Sequence, residues 1–177
     1  MKSSILYIFS GLPGVGKTTL SKALAKEKQA SYLRIDTIEQ GLRDLCQCDV
    51  EEQGYRLAYR LAAENLPLGD VVADSCNPIE ITRRDWHRVA QKAAARFIDI
   101  EVICSDQNRH RQRVEKRRSD VEGLKLPSWE AVLQREFQSW HCERIVIDTA
   151  YKTCAESIDE LNQACMQTIK KMDKGVE

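Results

Sequence analysis

The sequence has 177 residues, and its 27 Lys and Arg residues balance its 27 Asp and Glu residues, so the formal net charge is zero. This length predicts one domain, residues 1–177, that can bury a core without metal or disulfide staples. The charge balance disfavours a general nucleic-acid-binding protein, because such proteins gain most of their affinity from an excess of basic residues. We therefore do not expect nucleic acid to be the partner.

The cysteines are odd in number and form no C-x-x-C pair, so they predict reduced thiols rather than a disulfide framework or a zinc site. They are Cys46, Cys48, Cys76, Cys104, Cys142, Cys154 and Cys165. The first apolar run, residues 5–9, is too short for a signal-peptide core or a membrane span, and no later run reaches about 18 apolar residues. A soluble, cytoplasmic protein without a membrane partner is expected.

Short apolar runs alternate with longer amphipathic stretches, which is typical of a parallel sheet covered by helices. The predicted strands are residues 5–9, 31–35, 71–73, 97–104 and 145–147. The predicted helices are residues 18–28, a helix from near 38, then 50–66, 78–96, 109–118, 127–139 and 153–172. The tail after Met172 is expected to fray.

Three helix starts carry side chains that can bond the free N–H groups of a first turn. Thr37 with Gln40 fits a capping box for the helix beginning near Ile38. Asn77, followed by a proline, fits a cap for the fourth helix, and Thr153 fits a cap for the last one.

Residues 11–18, Gly-Leu-Pro-Gly-Val-Gly-Lys-Thr, match the pattern G-x-x-x-x-G-K-[ST] in full. The glycines let the backbone curl so that its N–H groups bind phosphate, and the next helix adds its positive N-terminal end. Lys17 can reach the β- and γ-phosphates, and the Thr18 hydroxyl can bind magnesium. The loop therefore predicts an ATP and magnesium site, formed by Gly11, Pro13, Gly14, Val15, Gly16, Lys17, Thr18 and Thr19.

Kinases, GTPase switches and motor-type ATPases all use such a loop. A GTPase needs an N-K-x-D string after a strand, which this sequence lacks, and its D-x-x-G string at 120–123 follows a basic helix. A motor ATPase would have an apolar strand ending in Asp-Glu, whereas the third predicted strand ends in Asp74-Ser75. A kinase is favoured.

The sequence resembles the small P-loop kinases of the nucleoside-monophosphate-kinase fold, in the branch with polynucleotide 5′-kinase, chloramphenicol phosphotransferase and zeta toxins. The resemblance covers nearly the whole chain and rests on residues 11–18, 34–36, 71–78, 109–118 and 145–149. It implies an α/β fold, namely a five-stranded parallel sheet with helices on both faces and a mobile, arginine-rich lid at about residues 106–126. It also implies that Thr149 lines the adenine pocket.

Two carboxylates follow predicted strands, at the edge where open α/β sheets bind ligands. Asp36 matches the residue that, in the kinases this chain resembles, accepts the proton of the substrate hydroxyl; the alternative is a cap for the helix near Ile38. Asp74 holds a magnesium-bound water, positions the substrate, or is a plain strand-end carboxylate.

Arg109, Arg113 and Arg117 are spaced i, i+4 and i+8, so they share one face of a helix. Guanidinium groups stabilise the charge that spreads over a phosphoryl group during transfer. The resemblance implies that the lid supplies such groups, and Arg113 and Arg117 are the predicted ones. An ordinary solvated basic helix is the alternative.

Together these features predict an ATP- and magnesium-dependent kinase acting on a hydroxyl of a small polar molecule, with the catalytic residues Lys17, Asp36, Arg113 and Arg117. One alternative is a nucleoside monophosphate kinase, whose phosphate acceptor could be clamped by Arg43, Arg56 and Arg60. The other is a nucleotide-binding regulatory module with little turnover. The acceptor pocket is expected among residues 37–66, and the sequence predicts neither the acceptor nor the oligomeric state.

Overall fold

The computed structural model of the protein describes residues 3–47 and 49–174. Five parallel strands form one sheet in the order β2-β3-β1-β4-β5. The strands are β1 (Ile5–Ser10), β2 (Ser31–Arg34), β3 (Val71–Asp74), β4 (Arg96–Ile103) and β5 (Ile145–Asp148). The helices are α1 (Lys17–Lys28), α2 (Ile35–Cys46), α3 (Gln53–Asn65), α4 (Glu80–Lys92), α5 (Gln107–Lys116), α6 (Trp129–Gln134) and α7 (Cys154–Lys174). The predicted five-stranded parallel sheet with helices is confirmed.

The central strand, β1, is buried on both faces. Its side chains Ile5, Tyr7 and Phe9 pack in a core with residues of α1 and α7. Leu6 and Ile8 point the other way, into a core with residues of α2, α3 and α4. Each large apolar side chain buried in this way contributes about 1.5–3 kcal/mol. Burial on two sides explains why the strand is a continuous apolar run rather than an alternating one.

All strands run in one direction, so the loops that follow them meet at one edge of the sheet. Two backbone hydrogen bonds join these loops. The N–H of Gly11, after β1, donates to the carbonyl of Cys76, after β3, at 3.1 Å. The N–H of Thr149, after β5, donates to the carbonyl of Ile103 at 2.9 Å. This edge therefore holds together the loops on which the predicted site residues lie.

Helix α2 begins at Ile35, directly after β2 and earlier than predicted. Ile35 is buried in the second core, which favours a turn into the helix as soon as the strand ends. No side chain caps α2, so the predicted capping box of Thr37 and Gln40 is wrong. Asp36 consequently lies in the first turn of the helix and is not used as a cap.

The fourth helix spans Glu80–Lys92 rather than residues 78–96, and the predicted cap at Asn77 is wrong. Asn77 has a positive φ of 47° and a fully buried side chain. Its Nδ2 donates to Ser10 Oγ at 3.1 Å, and its backbone N–H donates to Tyr55 Oη at 2.9 Å. Asn77 therefore connects the end of β1 with the loop after β3.

The predicted helix at 127–139 is wrong over its second half, because α6 ends at Gln134. The chain that follows packs against the start of α4 instead. Arg83, which is buried, donates through Nη2 to the carbonyls of Gln138 at 2.9 Å and Pro78 at 3.0 Å. These bonds hold the segment extended, since its carbonyls are used by Arg83 rather than by a further helical turn.

The last helix has the predicted cap. Thr153 Oγ1 accepts from the N–H of Glu156 at 3.2 Å, and Glu156 Oε2 accepts from the N–H of Thr153 at 2.7 Å. The helix continues through Lys174, and Asp173 accepts a hydrogen bond from Arg96 at 2.6 Å. Fraying directly after Met172 is therefore wrong, and the rest of the predicted frayed tail lies outside the described residues.

Six of the cysteines lie in the described residues, and all six are free thiols. The seventh, Cys48, lies outside the described residues. In residues 3–47 and 49–174, no helix combines the length and the apolar character needed to cross a membrane.

Candidate active site

The loops at the carboxyl edge of the sheet surround a cavity of about 950 Å³. Its walls are the loop between β1 and α1, the start of α2, residues 117–127 and the loop between β5 and α7. Most of the predicted site residues line it, namely Pro13, Gly14, Gly16, Lys17, Thr18, Thr19, Asp36, Asp74, Arg113, Arg117 and Thr149. Gly11 and Val15 belong to the same loop but do not line the cavity, and the side chain of Val15 packs in the first core. The structure therefore brings the predicted residues together in one place.

The loop between β1 and α1 is shaped to bind phosphate. Gly11 and Gly14 have positive φ values of 140° and 87°. A Cβ on Gly11 would lie 2.2 Å from the carbonyl oxygen of Val102, and one on Gly14 would lie 2.6 Å from Cγ2 of Val114. Only glycine fits both positions, and the resulting curl turns successive N–H groups toward one point.

Helix α1 adds a second contribution at that point. Its N-cap is Gly16, and no side chain bonds the N–H groups of its first turn, so these groups are available to a phosphate. Lys17 is only 8% exposed, and its Nζ donates to the carbonyl of Leu12 at 3.0 Å. The ammonium is therefore held over the loop, and the N–H groups, Lys17 and the Thr18 hydroxyl fit a magnesium-bound triphosphate.

A buried histidine supports the phosphate loop from behind. His110, on α5, makes a hydrogen bond of 2.8 Å between Nε2 and the carbonyl of Pro13, and its ring meets Trp129 edge to face at 5.1 Å. Burial lowers the pKa of His110, so a neutral ring donates to Pro13 near neutral pH. Val114, one turn later, packs with Trp129 and Leu12. The sequence interpretation missed this contact, for which the i, i+4 spacing of His110 and Val114 is the only signal.

Two arginines of α5 hold the loop after β5. Arg113 donates through Nη1 to Thr149 Oγ1 at 2.7 Å and through Nη2 to the carbonyl of Thr149 at 2.8 Å. Thr149 Oγ1 in turn donates to the carbonyl of Val15 at 2.8 Å. Arg109 donates to the carbonyl of Ala150 at 2.6 Å. Arg113 thus connects the phosphate loop with the predicted adenine side, and its contact with phosphate stays a prediction.

Arg117 ends α5 and projects into the cavity. Its Nε is buried and has no hydrogen-bond partner, and its guanidinium lies within 4 Å of no carboxylate in the described part of the chain. Burial lowers the pKa of Arg117, and the negative charge of Asp36 opposes that change. Arg117 is therefore a desolvated cation close to Asp36 and available to an anionic ligand.

Asp36 is an accessible carboxylate on the wall of the cavity. Its side chain is 50% exposed and lines the cavity, and its closest ion pair is with Arg34, at 3.5 Å between Nη2 and Oδ2. Arg34 is 11% exposed and also lies 4.0 Å from Asp74. The sequence interpretation gave Arg34 no role, yet it lies within 4.0 Å of both carboxylates.

Asp74 is nearly buried, and its Oδ2 accepts a hydrogen bond from the Tyr32 hydroxyl at 2.7 Å. Burial, and then the charge of Asp74, raise the pKa of Tyr32, so the phenol remains a donor. Residues 3–47 and 49–174 contain no group of three or more His, Cys, Asp or Glu side chains that could hold a metal ion. Magnesium at phosphate sites needs only one or two carboxylates, because substrate phosphates supply other ligands. Thr18 and Asp74 fit that requirement.

Residues 117–127, which we call the covering segment, cross the cavity from the end of α5 toward α2. Asp120 in this segment accepts from Lys22 and from Arg34, each at 2.7 Å. These two bonds lower the pKa of Asp120 to about 2. Gly123 lies against Gln40 of α2, where an added Cβ would be 2.9 Å from Nε2. The mobile lid predicted at 106–126 thus includes an anchored helix, α5, and a covering segment held mainly by Asp120; its mobility stays a prediction.

We expect Asp120→Ala to release the covering segment. Amide hydrogen exchange in residues 117–127 should become faster, while the free energy of unfolding changes by less than about 1 kcal/mol, because the ion pairs are partly exposed. Glu122→Ala is the matched control, since Glu122 lies in the same segment, is exposed and has no ion pair within the described residues.

The same release should occur in the wild type at low pH. Because the pKa of Asp120 is lowered from 3.8 to about 2, its stabilising effect is complete above about pH 4 and is lost as the pH falls toward 2. Exchange in this segment that is identical in Asp120→Ala and wild type at neutral pH would contradict the role of Asp120.

A protein-family comparison identifies the chain. A family profile described as "AAA domain" matches residues 6–136. The chain belongs to this AAA domain family. No curated protein matches it significantly.

This AAA domain shares its fold with solved structures at low sequence identity. A gluconokinase from Sinorhizobium meliloti 1021 is 14% identical with a TM-score of 0.68, and the match covers 99% of this chain and 98% of that one. The Mycobacterium tuberculosis APS kinase CysC, solved with AMPPNP and APS, is 14% identical with a TM-score of 0.66, covering 92% and 98%. Chaetomium thermophilum Kti12, solved with ADP-AlF3, is 21% identical with a TM-score of 0.65, covering 90% and 98%. The fold is that of P-loop kinases.

Not every residue named from the sequence reaches the cavity of this AAA domain. Among the residues of the range 37–66 that the structure describes, only Glu39, Gln40 and Arg43 line it. Arg56 and Arg60 border a separate surface depression on α3. The cavity also contains a residue with no sequence signal, Arg135, which follows α6.

Proposed function

We propose that this AAA domain is an ATP- and magnesium-dependent kinase that transfers the γ-phosphoryl group to a hydroxyl of a small molecule. The observation that carries the proposal is the position of Asp36. Its half-exposed carboxylate is not used as a helix cap, and it shares a cavity with a loop shaped for a triphosphate. A carboxylate in that place can orient a hydroxyl group and accept its proton.

The likeness to structures described as a gluconokinase and as APS kinases supports a kinase rather than a switch or a motor. One of these structures contains AMPPNP, an ATP analogue, which supports ATP as the nucleotide. The similarity covers nearly the whole length of this chain and of each matched structure, so it supports the kinase proposal for the fold as a whole.

Different residues of the cavity act on different groups in the proposed reaction. The acceptor oxygen attacks the γ-phosphorus as the bond from that phosphorus to the β,γ-bridging oxygen breaks, so ADP leaves with that electron pair. Asp36 takes the hydroxyl proton. The loop N–H groups and Lys17 hold the β- and γ-phosphates, and Arg117 faces the charge that develops during transfer. A magnesium ion held by Thr18 and Asp74 would offset phosphate charge when bound.

Arg117→Ala tests the proposed charge stabilisation. We expect turnover to fall by about tenfold to a hundredfold while the dissociation constant of ATP changes by less than about threefold, because Arg117 acts mainly on the transferring group. Arg111→Ala is the control, since Arg111 lies on the same helix, is exposed and pairs with Glu115 away from the cavity. A larger change in ATP affinity than in turnover would assign Arg117 to nucleotide binding instead.

Two other functions compete with this proposal. A nucleoside monophosphate kinase would need arginines that clamp the acceptor phosphate, but two of the three candidates, Arg56 and Arg60, lie outside the cavity. A regulatory module would bind the nucleotide without transfer. The cavity holds a phosphate-loop lysine, Lys17, a carboxylate, Asp36, and an unpaired arginine, Arg117. These groups favour phosphoryl transfer over binding alone.

A transfer assay decides among the three. The protein is incubated with magnesium and γ-labelled ATP and a panel of hydroxyl compounds and nucleoside monophosphates, and labelled product is separated from hydrolysed phosphate. Label on a hydroxyl compound supports the proposal. Label only on monophosphates supports the first alternative, and tight AMPPNP binding without any transfer supports the regulatory module.

A further inference from the structure

The cavity carries far more positive than negative charge. Its lining contains nine cationic side chains, Lys17, Arg34, Arg43, Arg113, Arg117, Arg118, Lys125, Arg135 and Lys152. It contains four carboxylates, Asp36, Glu39, Asp74 and Asp120, which leaves an excess of five cations. The whole chain has no net charge, so the cations are concentrated at this site. A magnesium ion cancels about half of the charge of a bound triphosphate, so the nucleotide accounts for only part of the excess.

The cations separate into two groups. On the nucleotide side, Lys17 is held over the phosphate loop, Arg113 bonds Thr149, and Lys152 pairs with Glu160 of α7. On the acceptor side, Arg34 is already balanced by its ion pairs with Asp36 and Asp120. Lys17 and Arg113 bond only neutral oxygens and so remain to balance the nucleotide phosphates, which leaves the cations beyond Arg34 for a second negative group.

Arg135 is one of several cations of the cavity that pair with no carboxylate in the described residues, together with Arg117, Arg118 and Lys125. It follows α6, lines the cavity and lies within 4 Å of no carboxylate in residues 3–47 and 49–174. It faces the start of α2, where Arg43 pairs with Glu39 at 3.4 Å. Burial raises the pKa of Glu39, and the charges of Arg43 and Arg135 oppose that rise, so both cations lie close to this carboxylate. The single negative charge of Glu39 can balance only one of these two cations, so one positive charge remains in excess.

We infer that the acceptor is an anion, a hydroxyl compound that also carries a carboxylate or phosphate group, and that Arg135 binds this group while Asp36 receives the hydroxyl. The inference rests on the proposed kinase function, because it assigns Asp36 and the acceptor side of the same cavity. Arg117 is close to both Asp36 and Arg135, so it can contact both the transferred phosphoryl group and the acceptor. A neutral acceptor would leave the partly desolvated Arg117 without a counter-charge, which is costly, and would make no use of Arg135.

The first arm of the test compares matched acceptors that differ in one anionic group, namely glycerol with glycerate, sorbitol with gluconate, and glucose with glucose 6-phosphate. We expect kcat/KM to be at least about tenfold higher for the anionic members. Arg135→Ala should remove most of that preference through a higher KM, with a smaller effect on kcat. Arg60→Ala is the control, because Arg60 is an exposed arginine outside the cavity.

The second arm does not depend on turnover. Inorganic sulfate is titrated into the protein saturated with magnesium and AMPPNP, and amide shifts near residue 135 are followed by NMR. Saturable binding that weakens about tenfold or more in Arg135→Ala, and not in Arg60→Ala, supports the inference. No saturable binding, or a neutral acceptor as good as its anionic partner, overturns it. Sulfate binding without transfer to any hydroxyl would instead refute the kinase function and leave the anion site standing.

Discussion

Lys17→Ala is expected to lower turnover by about 10²–10³, because it removes the cation that reaches the β- and γ-phosphates. The dissociation constant of the magnesium–ATP complex should rise as well, by about tenfold, since the loop N–H groups still bind the phosphates. Stopped-flow single-turnover transfer and titration of a fluorescent ATP analogue measure the two effects separately.

The stability of Lys17→Ala also follows from the structure. Lys17 is almost buried, and its loss leaves the carbonyl of Leu12 without this hydrogen-bond donor. We expect the free energy of unfolding to fall by about 1–2 kcal/mol, so the variant should remain folded. Lys26→Ala, an exposed lysine on the same helix, controls for a change of charge and helix content. Near-normal turnover in folded Lys17→Ala would refute the assignment of the phosphate loop.

The parts of this site that could be predicted are local in the sequence. Residues 11–18 specify their own backbone, because glycine at 11 and 14 fits where no other residue does. Asp74 could be placed because an apolar run ends at it, and parallel strands bring such ends to one edge. Asp36 was placed at that edge for the same reason, although its helix was predicted to begin too late.

The parts that could not be predicted depend on contacts between distant segments. The cap predicted at Asn77 failed because Ser10 and Tyr55 bond this residue from other elements. His110 supports Pro13 across 97 positions of the chain, and the one local signal, the i, i+4 spacing of His110 and Val114, does not indicate which residue they contact. Arg135 enters the cavity because Arg83 ends the sixth helix early by bonding the chain beyond it. Such side-chain bonds to backbone carbonyls override local helix propensity, which is a weak determinant.

The function of Asp36 separates a hydroxyl acceptor from a phosphate acceptor. A hydroxyl must lose its proton during transfer, and a carboxylate that accepts it contributes about 10²–10⁴ in rate. A phosphate acceptor is already ionised at neutral pH and needs no base. Because Asp36 does not bond the phosphate loop, it should affect the chemical step and not the nucleotide.

Asp36→Asn is therefore expected to lower single-turnover transfer by about 10²–10⁴ while ATP affinity stays within about threefold. Asparagine keeps the size of the side chain and can still accept a bond from Arg34, so the position of Arg34 and its bond to Asp120 should persist. Asp44→Asn, on the same helix but outside the cavity, is the control for a lost carboxylate on α2. A phosphate acceptor would give the opposite result, with turnover unchanged or slightly raised because a negative charge next to an anionic substrate is removed. A loss smaller than about threefold would thus refute the general-base role and favour the monophosphate-kinase alternative.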